Sequence, residues 1–62
     1  MKDWRIDYHV SYIDGTIIDH VGVVKARNIM AAIGVALVKY KEPMKKNPEI
    51  SGIVITKAEV ME

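Results

Sequence analysis

The sequence of 62 residues has no cysteine, no long hydrophobic run and a net charge of only +1. Without cysteine the chain can form neither disulfide bridges nor thiolate metal sites, which fits the reducing cytoplasm where we expect it to act. The most apolar stretch, residues 29–38, is about half the length of a membrane span, so no membrane partner is expected. The four glycines are scattered, so no glycine-rich phosphate loop is present.

The small size of the chain limits the core that it can bury. We interpret residues 1–62 as one domain, and a domain of this size buries only about 60% of the surface that its unfolded chain exposes. Half of the residues are nevertheless hydrophobic. Small domains without disulfides or metals are often stabilised by oligomerisation, which we therefore expect here.

A β-hairpin is predicted over residues 3–25. Apolar residues occupy every second position before the Asp14-Gly15 dipeptide, and β-branched residues follow it. Asp-Gly favours a two-residue type I′ turn, which would pair Ile6 with Val23 and His9 with His20. A three-residue loop would shift the pairing by one residue. Burial of Val21 and Val23 favours the two-residue loop.

A helix over about residues 28–42 and a third strand over about residues 50–61 complete the chain. Asn28 is a suitable N-cap, and Pro43 favours a helix end just before it. The predicted core stripe of the helix is Ile29, Ile33, Ala36, Leu37 and Tyr40. The fold class is therefore α+β, a single β-β-α-β domain whose three-stranded sheet has the order 2-1-3, with the helix packed on one face.

One helix cannot cover both faces of a sheet, and this helix carries more apolar residues than one stripe needs. Exposed apolar patches of this kind usually mark an interface. We therefore expect a homo-oligomer, most simply a dimer, although a monomer with an apolar surface is the alternative. The predicted interface residues are Ile13, Ile18, Val24, Met30, Ala31, Gly34, Val35 and Val38.

The middle third of the chain forms a basic band. It contains a single glutamate, Glu42, and six cations that are candidates for anion or nucleic-acid binding: Lys25, Arg27, Lys39, Lys41, Lys45 and Lys46. A solvated helix and loop would explain the same charges. A nucleic-acid-binding accessory module is thus an alternative function, but the predicted fold places the tyrosines inside, away from any base. A second alternative is an oligomer that sequesters a small anion beside Lys25 and Arg27.

The two histidines, His9 and His20, are weak candidates for a metal site. The favoured register places them opposite each other, with Asp7 nearby as a third ligand. Zinc normally takes at least three protein ligands, so we expect no metal and no cofactor. A pair of surface histidines, or an interface whose stability changes with pH, would account for them equally well.

No combination of residues in the sequence predicts catalysis. The serines lack an activating context, and the chain is too short for a large pocket. In size and compactness the chain resembles small accessory proteins of bacteriophages and mobile elements, a resemblance that rests on no motif. We expect a small non-enzymatic binding protein that self-associates and acts through protein–protein interaction, for example as an inhibitor or modulator of a host or defence protein.

Overall fold

The computed structural model describes residues 1–61, with Pro43 described by its backbone alone, and Glu62 of the predicted domain lies outside the described residues. The chain forms β1 (Lys2–Tyr12), β2 (Ile17–Ala26), α1 (Ile29–Lys46) and β3 (Ile50–Met61). The sheet order is β2-β1-β3, and β1 is antiparallel to both neighbours. The predicted α+β fold with a central first strand is confirmed.

One face of strand β1 lies against the core beneath α1, as its alternating pattern predicted. Ile6 and Val10 are buried on the side of the sheet that faces α1, and Trp4 and Tyr8 contact the same core from that side. The Trp4 indole Nε1 donates a hydrogen bond to the Ala26 carbonyl at 3.1 Å. This bond fixes the end of β2 just before the helix begins.

The hairpin loop has three residues, not the predicted two. The Tyr12 N–H donates to the Thr16 carbonyl at 2.8 Å, and the Gly15 N–H donates to the Tyr12 carbonyl at 3.0 Å. Gly15 has a φ of +92°, whereas Asp14 does not have a positive φ. A type I turn followed by a glycine in a left-handed conformation has this geometry.

The longer loop shifts the pairing of β1 with β2 by one residue, so the predicted register is wrong. Ile6 lies opposite Gly22, and His9 lies opposite Asp19. A one-residue shift exchanges the two faces of a strand. Val21 and Val23, which we expected in the core, therefore lie on the sheet face away from α1.

Contact between α1 and β2 explains why this register is preferred. The Tyr40 ring lies directly over Gly22, where a Cβ would overlap the tyrosine hydroxyl and lie 2.8 Å from Cζ. In the predicted register the larger Val21 and Val23 would flank this position on the helix side. Only glycine leaves room there for the tyrosine ring.

Helix α1 begins as predicted, with Asn28 as its N-cap. The Asn28 Oδ1 accepts a hydrogen bond from the Ala31 N–H at 2.9 Å. The buried line of the helix consists of Ala32, Ala36 and Tyr40, whose small alanines allow close approach to the sheet. The predicted stripe was wrong at Ile29 and Leu37, which remain exposed.

The helix continues past Pro43 to Lys46, four residues beyond its predicted end. Proline lacks an N–H and so removes one helical hydrogen bond, but only a single turn of helix follows it. Lys45 and Lys46 lie in that last turn, where cations interact favourably with the helix dipole. Among the described residues, no helix is long and apolar enough to cross a membrane.

Strands β2 and β3 form the two edges of the sheet, and they differ in regularity. β2 pairs with β1 in one unbroken register. The register of β3 against β1 shifts twice, which leaves Thr56 and Ser51 without a partner on β1. These irregularities divide the β3 edge into short segments.

Candidate interaction surfaces

The side of α1 that faces away from the sheet is apolar over its first three turns. Met30 and Val38 are 81% and 71% exposed. Ala31 and Gly34 are exposed beside them, and a Cβ placed on Gly34 would meet no atom within 4 Å. We call Met30, Ala31, Gly34, Val35 and Val38 the outer helix face. All five were predicted as interface residues, and all five are exposed.

The three predicted interface residues outside the helix have different surroundings. Ile13 is exposed in the hairpin loop, and Ile18 is partly exposed on the helix side of the sheet, opposite Val10. Val24 is only 4% exposed and belongs to the core, opposite Trp4. The assignment of Val24 to an interface is wrong, because it followed from the incorrect register.

A second apolar surface lies on the sheet face away from α1, which we call the open face. Val21 is 58% exposed there, and Ile17, Val23 and Val54 are exposed on the same face. The sequence interpretation missed this surface because it placed Val21 and Val23 in the core. The signal was present, since β2 carries apolar residues on both of its faces.

Ion pairs lie on the open face, along β1 and between β1 and β2. Arg5 Nε lies 3.1 Å from Asp7 Oδ1, and Lys25 Nζ lies 3.7 Å from Asp3 Oδ1. These side chains are substantially exposed, so each pair contributes little to stability. These polar pairs lie beside the exposed valines of β2.

The histidines do not form the predicted cross-strand pair. His9 contacts the Asp19 carboxylate through Nδ1 on the open face, whereas His20 stacks on Tyr8 on the helix side. The weak metal candidates His9 and His20 are thus separated by the sheet. No group of three or more metal-ligating side chains occurs among the described residues.

The side chains around His9 form an open hollow of about 170 Å³. Asp7, Asp19 and Thr56 line it together with His9. The Thr56 hydroxyl donates to the Asp7 carbonyl at 3.1 Å, so it is already engaged. Asp19 is highly exposed, so its contact with His9 contributes little to stability.

Aromatic rings stack between the helix and the sheet. The Tyr8 ring lies 4.2 Å from the Tyr40 ring and 5.3 Å from the His20 ring, measured between centroids. Burial raises the pKa of Tyr40, and the nearby Tyr8 adds to that effect. The Tyr40 hydroxyl has no hydrogen-bond partner among the described residues. Tyr40 is therefore part of the core, Tyr8 packs against it, and His20 covers Tyr8 from the exposed side.

The six predicted anion-binding cations lie in two separate groups. Lys25 and Arg27 are beside the start of α1, and the other four occupy its C-terminal half. An 18-residue helix is about 27 Å long, and much of that length separates the two groups of cations. In the second group, Lys45 Nζ lies 3.9 Å from Glu42, and Lys39 Nζ lies 5.9 Å from the Tyr40 ring centroid.

No protein family, curated protein or solved structure matches the chain. The surfaces themselves must therefore indicate what the protein does. The outer helix face and the valines of the open face both expose large apolar side chains.

Proposed function

We propose that this chain is a non-enzymatic binding protein that self-associates and acts through protein–protein interaction. The observation that carries the proposal is the exposure of large apolar side chains on two opposite sides of one small domain: Met30 and Val38 on the helix, and Val21 on the sheet. Contiguous apolar patches on a small protein mark surfaces that bind other proteins.

The size of the core supports self-association. Among the residues that the structure describes, few hydrophobic ones are buried, and three of them are alanines: Ile6, Val10, Val24, Ala26, Ala32, Ala36 and Tyr40. Such a core gives a marginal free energy of unfolding. Burial of a further apolar surface between two copies would add stability without a disulfide or a metal.

The two apolar surfaces can serve different partners because they lie on opposite sides of the domain. We assign the outer helix face to another protein and the sheet to a second copy. More specifically, we propose that the partner is a host or defence protein, and that this chain inhibits or modulates it in the cytoplasm. The small size of the chain and the exposed apolar residues of the outer helix face support that form.

Light scattering after size-exclusion chromatography tests the self-association. We expect a particle of at least twice the 7.0 kDa mass of the chain at micromolar concentration. A mass of 7.0 kDa at every concentration up to the millimolar range would refute self-association.

Site-specific photo-crosslinking in the native host tests the protein partner. A benzoylphenylalanine at position 38 should give a crosslinked heterologous protein. The same probe at position 57, an exposed lysine of β3, is the matched control and should not give it. Equal products from both positions would show that the outer helix face has no specific partner.

A further inference from the structure

Strand β2 is the edge of the sheet that is open to pairing with another strand. Exposed edges attract further strands unless bulges, prolines or a short length prevent it. β2 has ten residues, no proline and one continuous register. The β3 edge is interrupted at Thr56 and Ser51. Of the two edges, β2 therefore presents the longer regular row of free backbone groups.

The hydrogen bonds of the hairpin show which residues of β2 face that edge. The Tyr12 N–H donates to the Thr16 carbonyl, and opposite residues in an antiparallel pair alternate between bonded and non-bonded. The even-numbered residues of β2 consequently bond to β1. The odd-numbered ones direct their N–H and C=O groups to the free edge: Ile17, Asp19, Val21, Val23 and Lys25.

The side chains at these odd positions are complementary to the same series in a second strand that runs in the opposite direction. Asp19, Val21, Val23 and Lys25 read as an anion, two valines and a cation. When a second copy pairs antiparallel about Gly22, Asp19 lies opposite Lys25 of that copy, and Val21 lies opposite its Val23. Opposite charges and β-branched pairs both stabilise facing positions in a sheet.

We propose that two copies pair their β2 strands antiparallel about a two-fold axis at Gly22, forming one six-stranded sheet. The pairing rests on the self-association proposed above and names the surface responsible. It joins the exposed valines of both open faces into one apolar strip, flanked by two Asp19–Lys25 ion pairs. In these pairs Asp19 and Lys25 exchange the contacts that they make within one chain with His9 and Asp3. It leaves both outer helix faces free for the protein partner.

Other registers are less favourable. If the axis lay at Val21, Asp19 would face Val23, and Lys25 would face Ile17. Both ion pairs would be lost, and each charge would instead lie against an apolar side chain. An axis at Gly22 is the register that satisfies the charges and the valines together.

Charge exchange across the proposed edge tests the pairing. Asp19→Lys gives a chain with cations at both positions, and Lys25→Asp gives one with anions at both. Each variant alone should have a dissociation constant for the dimer that is raised about tenfold or more, because two attractive pairs become repulsive. An equimolar mixture should form a heterodimer with near wild-type affinity, which native mass spectrometry distinguishes by mass.

Two further variants keep the test decisive. Lys57→Asp, on the β3 edge, is the matched control and should leave the dimer unchanged. Val21→Pro removes an N–H that does not bond to β1, so it should abolish pairing and leave the sheet signal in circular dichroism. It provides a second readout if a charge variant fails to fold.

The outcomes separate the two proposals. A wild-type monomer would refute self-association and the edge pairing with it. A wild-type dimer whose Asp19→Lys and Lys25→Asp forms associate as strongly as wild type would overturn the β2 edge alone. Homodimers and heterodimers of equal stability in the mixture would overturn it too.

Discussion

Tyr40 of α1 lies with its ring directly over Gly22 of β2. A Cβ on Gly22 would be 2.8 Å from Tyr40 Cζ, closer than atoms tolerate. The contact joins a helix residue to the edge strand, and it specifies which residue of β2 lies beneath the helix. It therefore couples the position of the helix to the register of the hairpin.

Replacement of Gly22 by alanine should destabilise the protein. The added methyl group collides with the tyrosine ring, and overpacking of this kind costs about 1–3 kcal/mol. Urea unfolding at one fixed protein concentration measures the loss. In a Tyr40→Leu background the same substitution should cost less, since the ring is absent. An equal cost in both backgrounds would show that the ring is not the cause.

Replacement of Gly34 by alanine should have the opposite effect. Gly34 lies in the helix interior, and its Cβ direction is open. Alanine is favoured over glycine in a helix by about 1 kcal/mol, so the urea midpoint should rise. A fall in the midpoint would mean that a second chain approaches the helix backbone closely at Gly34, and its dependence on protein concentration would reveal that contact.

Alkaline pH should destabilise the wild-type protein through Tyr40. Burial raises the pKa of Tyr40 in the folded state above its ordinary value of 10.0. The unfolded chain therefore loses this proton first, and stability falls as the pH rises from about that value through the folded pKa. The difference in urea midpoint between wild type and Tyr40→Phe, followed across this range, isolates the effect. A constant difference would contradict it.

Acidic pH should weaken the hairpin loop through Asp14. The Thr16 N–H donates to Asp14 Oδ1 at 2.9 Å, and this bond, with a further one from the Thr16 side chain, lowers the pKa of Asp14 below 3.8. Its contribution is present above the unfolded pKa and is lost as the pH falls through the folded pKa. An NMR titration of the Asp14 carboxyl should give a midpoint below 3.8. A midpoint above 3.8 would contradict the bond.

The overall fold could be predicted because the patterns that indicate it involve residues close together in the sequence. The alternation of β1, the turn at Asp14-Gly15 and the N-cap at Asn28 each depend on neighbouring residues. These signals fixed the order of the elements and the central position of β1. The α+β architecture followed from them and from the handedness of the crossover.

The register could not be predicted because both faces of β2 are apolar. Val24 and Ala26 lie on one face, and Val21 and Val23 lie on the other. Burial alone does not choose between them, and Asp-Gly is compatible with loops of either length. The deciding contact comes from Tyr40, which is distant in sequence. The expected histidine pair and the placement of Val24 failed for the same reason.

The outer helix face could be predicted, since a helix with apolar residues on all sides must leave some of them exposed.

The C-terminal end of α1 could not be predicted. Pro43 indicated a boundary, but a proline near the last turn removes only one hydrogen bond. The partners of these surfaces are other chains, and the sequence of one chain does not identify the chains that bind it.

The three-residue loop has a consequence for how this surface can change during evolution. Loss of one residue from the loop would favour the pairing in which Val21 and Val23 face α1, where the Tyr40 ring leaves room only for glycine. A single codon deletion in the loop would therefore be tolerated only together with a smaller side chain at position 40. The length of the loop determines which side chains of β2 face the helix and which face away from it.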